Sequence, residues 1–218
     1  MGVTLLVRGN TKLGPDVWHV DLPAGPPERG GSCPVTSDVC RSLCYAQKGM
    51  YLFQLDLYAQ RLALWRDDPV AFEEKLAAEV GRLPAGAYFR WHTSGDIVDA
   101  AYARMVARIA KARPDIHHWA YTRTWDSPDP ELREAVESLR HLPNLRLWFS
   151  TDATMRSPAE AGWESVLEAR IFDNELDARF AGYAVCPEQV GRQPDCQTCG
   201  LCPGIKSGRG FRLAFLLH

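Results

Sequence analysis

The chain has 218 residues, 46% of them hydrophobic, with 25 basic against 27 acidic side chains and a net charge of -2. That length buries one sizeable core, and charge so evenly balanced leaves no global field to draw the chain onto nucleic acid or an anionic membrane. No segment reaches the roughly 20 apolar residues that span a bilayer, and Met1–Asn10 carries a short apolar run and Arg8 without the longer apolar region and cleavage site of a signal peptide, so a soluble cytoplasmic protein is expected.

Val3–Val7 reads as a strand, and the Pro- and Gly-rich stretch Leu22–Ser32 as a loop that delivers the chain to Cys33. Apolar residues recur at helical spacing from Tyr51 to Arg66, and a second helix follows with Asp68 as N-cap and Pro69 at its first position, ending near Gly81. Tyr88–Thr93 is a strand rich in aromatic residues. Ile97, Ala101, Met105 and Ile109 then fall on one helical stripe, with Val98, Tyr102 and Val106 beside it.

The unit repeats with strand His117–Thr122, a helix capped by Asp129 and opened by Pro130, strand Leu145–Ser150, and capping-box spacing at Ser157 and Glu160. Strands at Val166–Phe172 and Phe180–Val185 precede the last cysteines. Alternating strands and helices predict an α/β fold with a parallel sheet, either open and doubly wound or a partial or complete β/α barrel. Residues 1–185 are read as this core with an amino-terminal three-cysteine loop, and 186–218 as a cysteine-rich iron–sulfur segment packed on it.

Three strand ends are polar: Thr93-Ser94-Gly95-Asp96, Tyr121-Thr122-Arg123-Thr124 and Ser150-Thr151-Asp152. Parallel α/β folds bind ligands at the carboxyl ends of their strands, where loops and helix amino termini present polar groups to one crevice, so the tips point to one site. The plainer reading is that Ser94 or Asp96 caps a helix beginning near Ile97 and Asp152 stabilises a turn.

Seven cysteines is an odd number, and a reducing compartment disfavours disulfides, so their clustering points to metal. Cys186, Cys196, Cys199 and Cys202 form C-x9-C-x2-C-x2-C, whose last three are packed as in ferredoxin-type loops. Four thiolates complete a [4Fe–4S] cube with one iron each, whereas zinc draws four sulfurs onto one ion and favours two separated CxxC pairs. Cys33, Cys40 and Cys44, spaced C-x6-C-x3-C, leave one iron of a second cube open to a small molecule. Buried free thiols, or a structural zinc completed by His19, are the alternatives.

Cys33-Pro34, Cys40, Cys44-Tyr45-Ala46, the segment Arg90 to Asp96, Tyr121-Thr122-Arg123 and the carboxyl-terminal cysteines together resemble a phage-type family known as gene product eighty-eight. More remotely, a three-cysteine loop ending in Cys-Tyr-Ala before β/α units resembles the radical S-adenosylmethionine (SAM) enzymes. That resemblance implies a partial or complete β/α barrel and reductive SAM cleavage at a cube held by Cys33, Cys40 and Cys44. It further implies an auxiliary cluster on the other four cysteines, SAM contacts from Ser94, Gly95, Asp96, Arg123 and Ser150, and an external reducing electron donor. The loop departs from the usual C-x3-C-x2-C, Leu43 stands where an aromatic precedes the third cysteine, and no Gly-Gly-Glu-Pro is present.

Arg90 and His92 alternate on one strand and so share a face, as site groups or a satisfied buried pair. Trp91, Trp119, Trp125 and Trp148 are read as core, with Trp125 also placed to stack on a base. Lys206, Arg209 and Arg212 form a basic cluster that is most simply solvated surface, so nucleic-acid contact has little support. The expected function is therefore an iron–sulfur enzyme of unspecified substrate. Its rivals are an iron–sulfur enzyme that does not use SAM and a structural-zinc protein that binds nucleic acid or a protein partner.

Overall fold

The computed structural model describes residues 3–204 and 210–217. Its strands are β1 (Val7–Arg8), β2 (Val17–Val20), β3 (Tyr88–Trp91), β4 (His117–Thr122), β5 (Leu145–Thr151), β6 (Leu167–Phe172), β7 (Ala184–Val185) and β8 (Arg212–Leu216). They form one sheet in the order β1-β2-β3-β4-β5-β6-β8-β7, parallel throughout except for β1 against β2. The order is linear, so among the described residues the sheet is open: the α/β class holds, and barrel closure is absent. Strand β8 comes from beyond the last cysteine and inserts between β6 and β7, making the carboxyl-terminal segment part of the same sheet.

The helices are α1 (Asp38–Leu43), α2 (Leu55–Asp67), α3 (Pro69–Gly81), α4 (Ala100–Ala112), α5 (Pro130–Arg140), α6 (Glu175–Phe180) and α7 (Cys196–Cys199). Because β2 to β6 follow one another across the sheet, right-handed crossovers place their helices on one face. There Phe72 and Leu76 of α3, Met105 and Ile109 of α4 and Leu132 and Val136 of α5 pack on Phe89, Trp91, Leu147 and Phe149. Truncating any one of these buried aromatics would cost about 3–5 kcal/mol. The opposite face carries Val17, Trp119, Trp148, Leu167 and Leu213, and is covered by Leu13, Cys186 and Cys202. An open doubly wound sheet would have a helical layer there.

Local signals explain the elements that match. Asp68 accepts from the Ala71 N–H at 2.9 Å and Asp129 from that of Glu131 at 2.9 Å, each before a proline at the first helical position. Four expectations change. The first strand shrinks to Val7–Arg8, and the inner strand is the short Val-Trp-His-Val of β2. Helix α4 starts at Ala100 with Asp99 as its cap, so Ile97 and Val98 precede it. Ser157 and Glu160 make their reciprocal bonds, at 2.7 and 3.3 Å, around a turn that no helix continues. Phe180 ends α6, leaving only Ala184–Val185 of the proposed Phe180–Val185 strand. No helix among the described residues is long and apolar enough to cross a membrane.

Candidate functional site

All seven cysteines are free thiols, and the fold collects them into two groups. Ser37 organises the first. Its Oγ accepts from the Cys40 N–H at 2.9 Å, capping α1, and donates to Asp152 Oδ2 at 2.5 Å across 115 residues. One hydroxyl thus starts the cysteine helix and pins it to the end of β5. Asp152 Oδ2 also accepts from Arg123 Nη1 at 2.7 Å, and its Oδ1 from the Thr154 N–H and hydroxyl at 2.9 and 2.6 Å. Arg123 in turn donates its backbone N–H to Asp96 Oδ2 at 2.9 Å, while Thr122 Oγ1 and the Ile97 N–H reach Asp96 Oδ1 at 2.6 and 2.7 Å. The tips of β3, β4 and β5 are therefore tied to one another and to the loop.

The half-buried Cys33, Cys40 and Cys44 interact electrostatically with one another at this end of the sheet; Asp96 acts on Cys33 and Cys40, and Arg123 and Asp152 act on Cys40. Burial pushes the Cys33 and Cys40 thiols above their ordinary range. The Asp96 charge adds to this at both, and the Arg123 guanidinium opposes it at Cys40. Burial also raises Asp96, against its three hydrogen-bond donors. Asp152 goes the other way: despite its burial, the bonds from Ser37 and Thr154 and the Arg123 charge hold it at about 2.

The predicted tip residues divide by role. Asp96 and Arg123 lie beside the cysteines. Ser94 and Gly95 instead stitch the 22–32 loop to β3: Ser94 Oγ donates to Leu22 O at 2.9 Å, and the Leu22 N–H to Ser94 O at 3.0 Å. Gly95 has φ +87°, and a Cβ there would lie 2.4 Å from Ser32 Oγ and 2.9 Å from Leu22 O. Helix capping explains neither Ser94 nor Asp96, since Asp99 caps α4. Ser150 lies at the end of β5, where its carbonyl accepts from Trp125 Nε1 at 3.1 Å. Trp125 is itself stacked on Phe149 in the core, with its rings 5.4 Å apart, and is not available to a base.

Sequence reasoning missed Asp21, a buried carboxylate just after β2. Its Oδ1 accepts from the Thr93 N–H at 2.6 Å and hydroxyl at 2.8 Å, and its Oδ2 meets His19 Nδ1 at 2.7 Å. Burial pushes Asp21 up, but the His19 contact and the Thr93 bonds outweigh it and hold the carboxyl at about 2. An acidic residue directly after four extended residues was the available signal. His19 is thus engaged by Asp21, away from the role of a fourth zinc ligand.

The second group lies on the opposite sheet face. Helix α7 begins with Cys196 behind the cap Asp195, whose side chain accepts from the Thr198 N–H at 2.6 Å, and it ends at Gly200 in the left-handed region, φ 62°. The Cys196 and Gln197 N–H groups donate to Lys12 O and Leu13 O at 2.9 and 3.0 Å, and Cys186 N–H to Ala214 O at 2.9 Å. Trp148 Nε1 donates to Cys202 O at 2.9 Å, and Tyr121 packs against the hydrophobic cluster that holds Cys186 and Cys202. Burial raises Cys186, Cys196 and Cys202, Cys196 to about 11; the Arg90 charge opposes this at Cys196 and Cys202. Cys199 is buried in the same turn.

Among the described residues no three His, Cys, Asp or Glu side chains are drawn together tightly enough to hold a metal ion as they stand. Arg212 pairs with Glu168 at 3.5 Å and lies 3.9 Å over the Tyr183 ring, while Lys206 and Arg209 lie outside the described residues.

Two curated relatives share this sequence pattern: the Gene 88 protein of Mycobacterium phage L5, 27% identical over 203 residues, and that of Mycobacterium phage D29, 27% identical over 204. Each alignment covers 84% of this chain and 81% of the relative. No solved structure matches the chain. The Gene product 88 family matches residues 4–203, nearly the whole described core and both cysteine groups, and the chain belongs to that family.

Proposed function

We propose that the protein is an iron–sulfur enzyme with a substrate-accessible [4Fe–4S] cluster on Cys33, Cys40 and Cys44, an auxiliary [4Fe–4S] cluster on Cys186, Cys196, Cys199 and Cys202, and SAM as cosubstrate. The observation that carries this reading is the convergence of three loop thiols on the Asp96–Arg123–Asp152 array at the carboxyl ends of β3, β4 and β5. Ligand sites of parallel α/β sheets form there.

The reading is supported by the kind and number of donors, free thiols in groups of three and four, and not by a single-ion site, since among the described residues no three such side chains are gathered tightly enough for one. Each thiolate of a cube binds a different iron, so the sulfurs stand apart, whereas one zinc needs all its sulfurs about 2.3 Å from a single point. Burial of the thiols disfavours their bare thiolates, a penalty that a bound cation removes. When bound, the three-thiolate cluster would supply one-electron reduction of a ligand at its open iron. This chain's own contribution is positional. Ser37 fixes the loop to Asp152, and Arg123, held by the same carboxylate, offers a positive charge that acts on Cys40.

A second reading keeps the cluster without SAM. It is favoured by Ser94 and Asp96, whose polar atoms are already satisfied by Leu22, Thr122, Arg123 and Ile97. Low-temperature electron paramagnetic resonance of the anaerobic, reduced protein separates the two. A cluster signal altered by added SAM supports the first reading, and an unaltered signal with no deoxyadenosine formed on turnover supports the second. Absence of any cluster signal from reconstituted protein would contradict both.

A further inference from the structure

One buried histidine has a ring nitrogen that no described residue satisfies. His19 on β2 is 7% exposed, and its Nδ1 meets Asp21 Oδ2 at 2.7 Å. The other oxygen of Asp21 accepts from the Thr93 N–H and hydroxyl at 2.6 and 2.8 Å, which fixes the carboxylate and through it the imidazole ring. His19 Nε2 has no hydrogen-bond partner among the described residues, yet it stays in contact with solvent, unlike the sealed nitrogens His92 Nδ1 and His118 Nε2. Its register partner is Arg90 of β3, so the two side chains leave the same sheet face from adjacent strands. Both lean toward the carboxyl ends of those strands. His19 reaches Asp21, while Arg90 donates from Nε to His92 O at 3.2 Å and lays its guanidinium 5.2 Å from the Tyr121 ring centroid. The half-buried Arg90 forms no ion pair and no further hydrogen bond among the described residues, so its terminal nitrogens are open.

We propose that His19 Nε2 and the Arg90 guanidinium form a binding site for an oxyanion, the carboxylate or phosphate group of a small molecule, at the carboxyl ends of β2 and β3. A guanidinium held by one π face and one Nε bond presents its remaining N–H groups as a planar fork, which matches the oxygens of a carboxylate or phosphate. With Nδ1 committed to Asp21, Nε2 is the open atom of the ring. It donates to the anion when the ring carries two protons and accepts from a neighbouring hydroxyl when it carries one. The Asp21 carboxylate does not compete for Arg90, because its oxygens are already met by His19 and Thr93. Parallel sheets bind ligands at this end of their strands. The site needs no metal and stands whether or not the cysteine groups carry clusters.

The test is proton–nitrogen correlation spectra of the histidine rings in the isotope-labelled full chain, titrated with inorganic phosphate and, separately, with acetate at constant ionic strength. His19→Gln identifies the His19 signal by its loss. That signal moves and saturates with at least one anion, while the exposed His141 keeps its position. In Arg90→Gln the apparent affinity falls about tenfold or more, the usual loss for a charge-assisted contact. Arg90→Lys falls between the two, because the charge returns without the fork. The buried His118 signal, unmoved in both variants, reports that the fold is kept. Saturation by phosphate alone assigns a phosphate-bearing ligand, by acetate alone a carboxylate, and by both a general oxyanion site. A His19 signal that neither anion moves, or an affinity unchanged in Arg90→Gln, would overturn the proposal whatever metal the cysteines hold.

Discussion

Arg123 and Asp152 close a buried ion pair across the tips of β4 and β5, Nη1 to Oδ2 at 2.7 Å, and the same carboxylate oxygen receives the hydroxyl of Ser37 from the cysteine loop. One carboxylate therefore joins the loop that carries Cys40 to the rigid sheet. Removing it would leave a guanidinium in a largely water-free place without its counter-charge. Asp152→Ala should lower unfolding stability by about 3–5 kcal/mol, the usual cost of breaking one side of a buried pair. Denaturant midpoints check this, and a loss below about 1 kcal/mol would mean that the loop is held elsewhere.

Ser37→Ala tests the same tie more gently, because it removes the helix cap and the bond to Asp152 while leaving the ion pair. A loss of about 1–2 kcal/mol is expected. The cysteine loop should also become more open, read as faster alkylation of Cys40 in the metal-free protein while Cys202 reacts at its wild-type rate.

His92 should set the acid side of stability. It sits in the left-handed region at φ 65°, its Nε2 meets the Tyr102 hydroxyl at 2.9 Å, and its Nδ1 is buried without a partner. Burial lowers it to about 4, and His118 falls to about 3 for the same reason. The unfolded chain then binds protons that the folded chain does not, so stability declines as pH falls from about 6.5 toward 4, by about 3 kcal/mol for His92 alone. His92→Asn, which tolerates the left-handed backbone, should remove roughly half of that slope in unfolding measured against pH.

Asp21 and Asp152, each held at about 2, act in a lower window. Their stabilisation is complete above the unfolded carboxyl value near 3.9 and is lost as pH falls toward about 2. Asp21→Asn should reduce the slope of stability between these limits and, by removing the charge that opposes burial at His92, carry the histidine window to lower pH.

Gly95→Ala should be costly at a position with no catalytic chemistry of its own. The new methyl would enter the left-handed region at φ +87° and meet Ser32 Oγ at 2.4 Å and Leu22 atoms at 2.9 Å. The backbone term is about 1–2 kcal/mol and the overpacking about 1–3. Thermal unfolding reads the sum, and a midpoint near wild type would show that the 22–32 loop moves aside freely.

How much of this was legible in the sequence depended on range. Caps acting over three residues, such as Asp68 and Asp129, and the strands His117–Thr122 and Leu145–Ser150 were readable because their signals are local. Strand β2 was missed because four residues are too few for a period, and β8 because its register with β6 is a long-range fact. The strand-tip rule found Asp96, Arg123 and Asp152 together. Asp21 and Ser37 escaped because their partners lie 72 and 115 residues away. The same limit hid the neighbours of Ser94 and Gly95, which lie in the loop at 22–32. Spacing within the cysteine motifs was visible, but the convergence of each group required the fold.

The central claim is that the two cysteine groups hold two separate clusters. The direct measurement is iron, acid-labile sulfide and zinc content of anaerobically prepared protein, compared with a Cys33→Ser/Cys40→Ser/Cys44→Ser variant. About eight irons and eight sulfides per chain, falling to about four of each in the variant, are predicted. Stoichiometric zinc without sulfide in the wild-type chain would contradict the account.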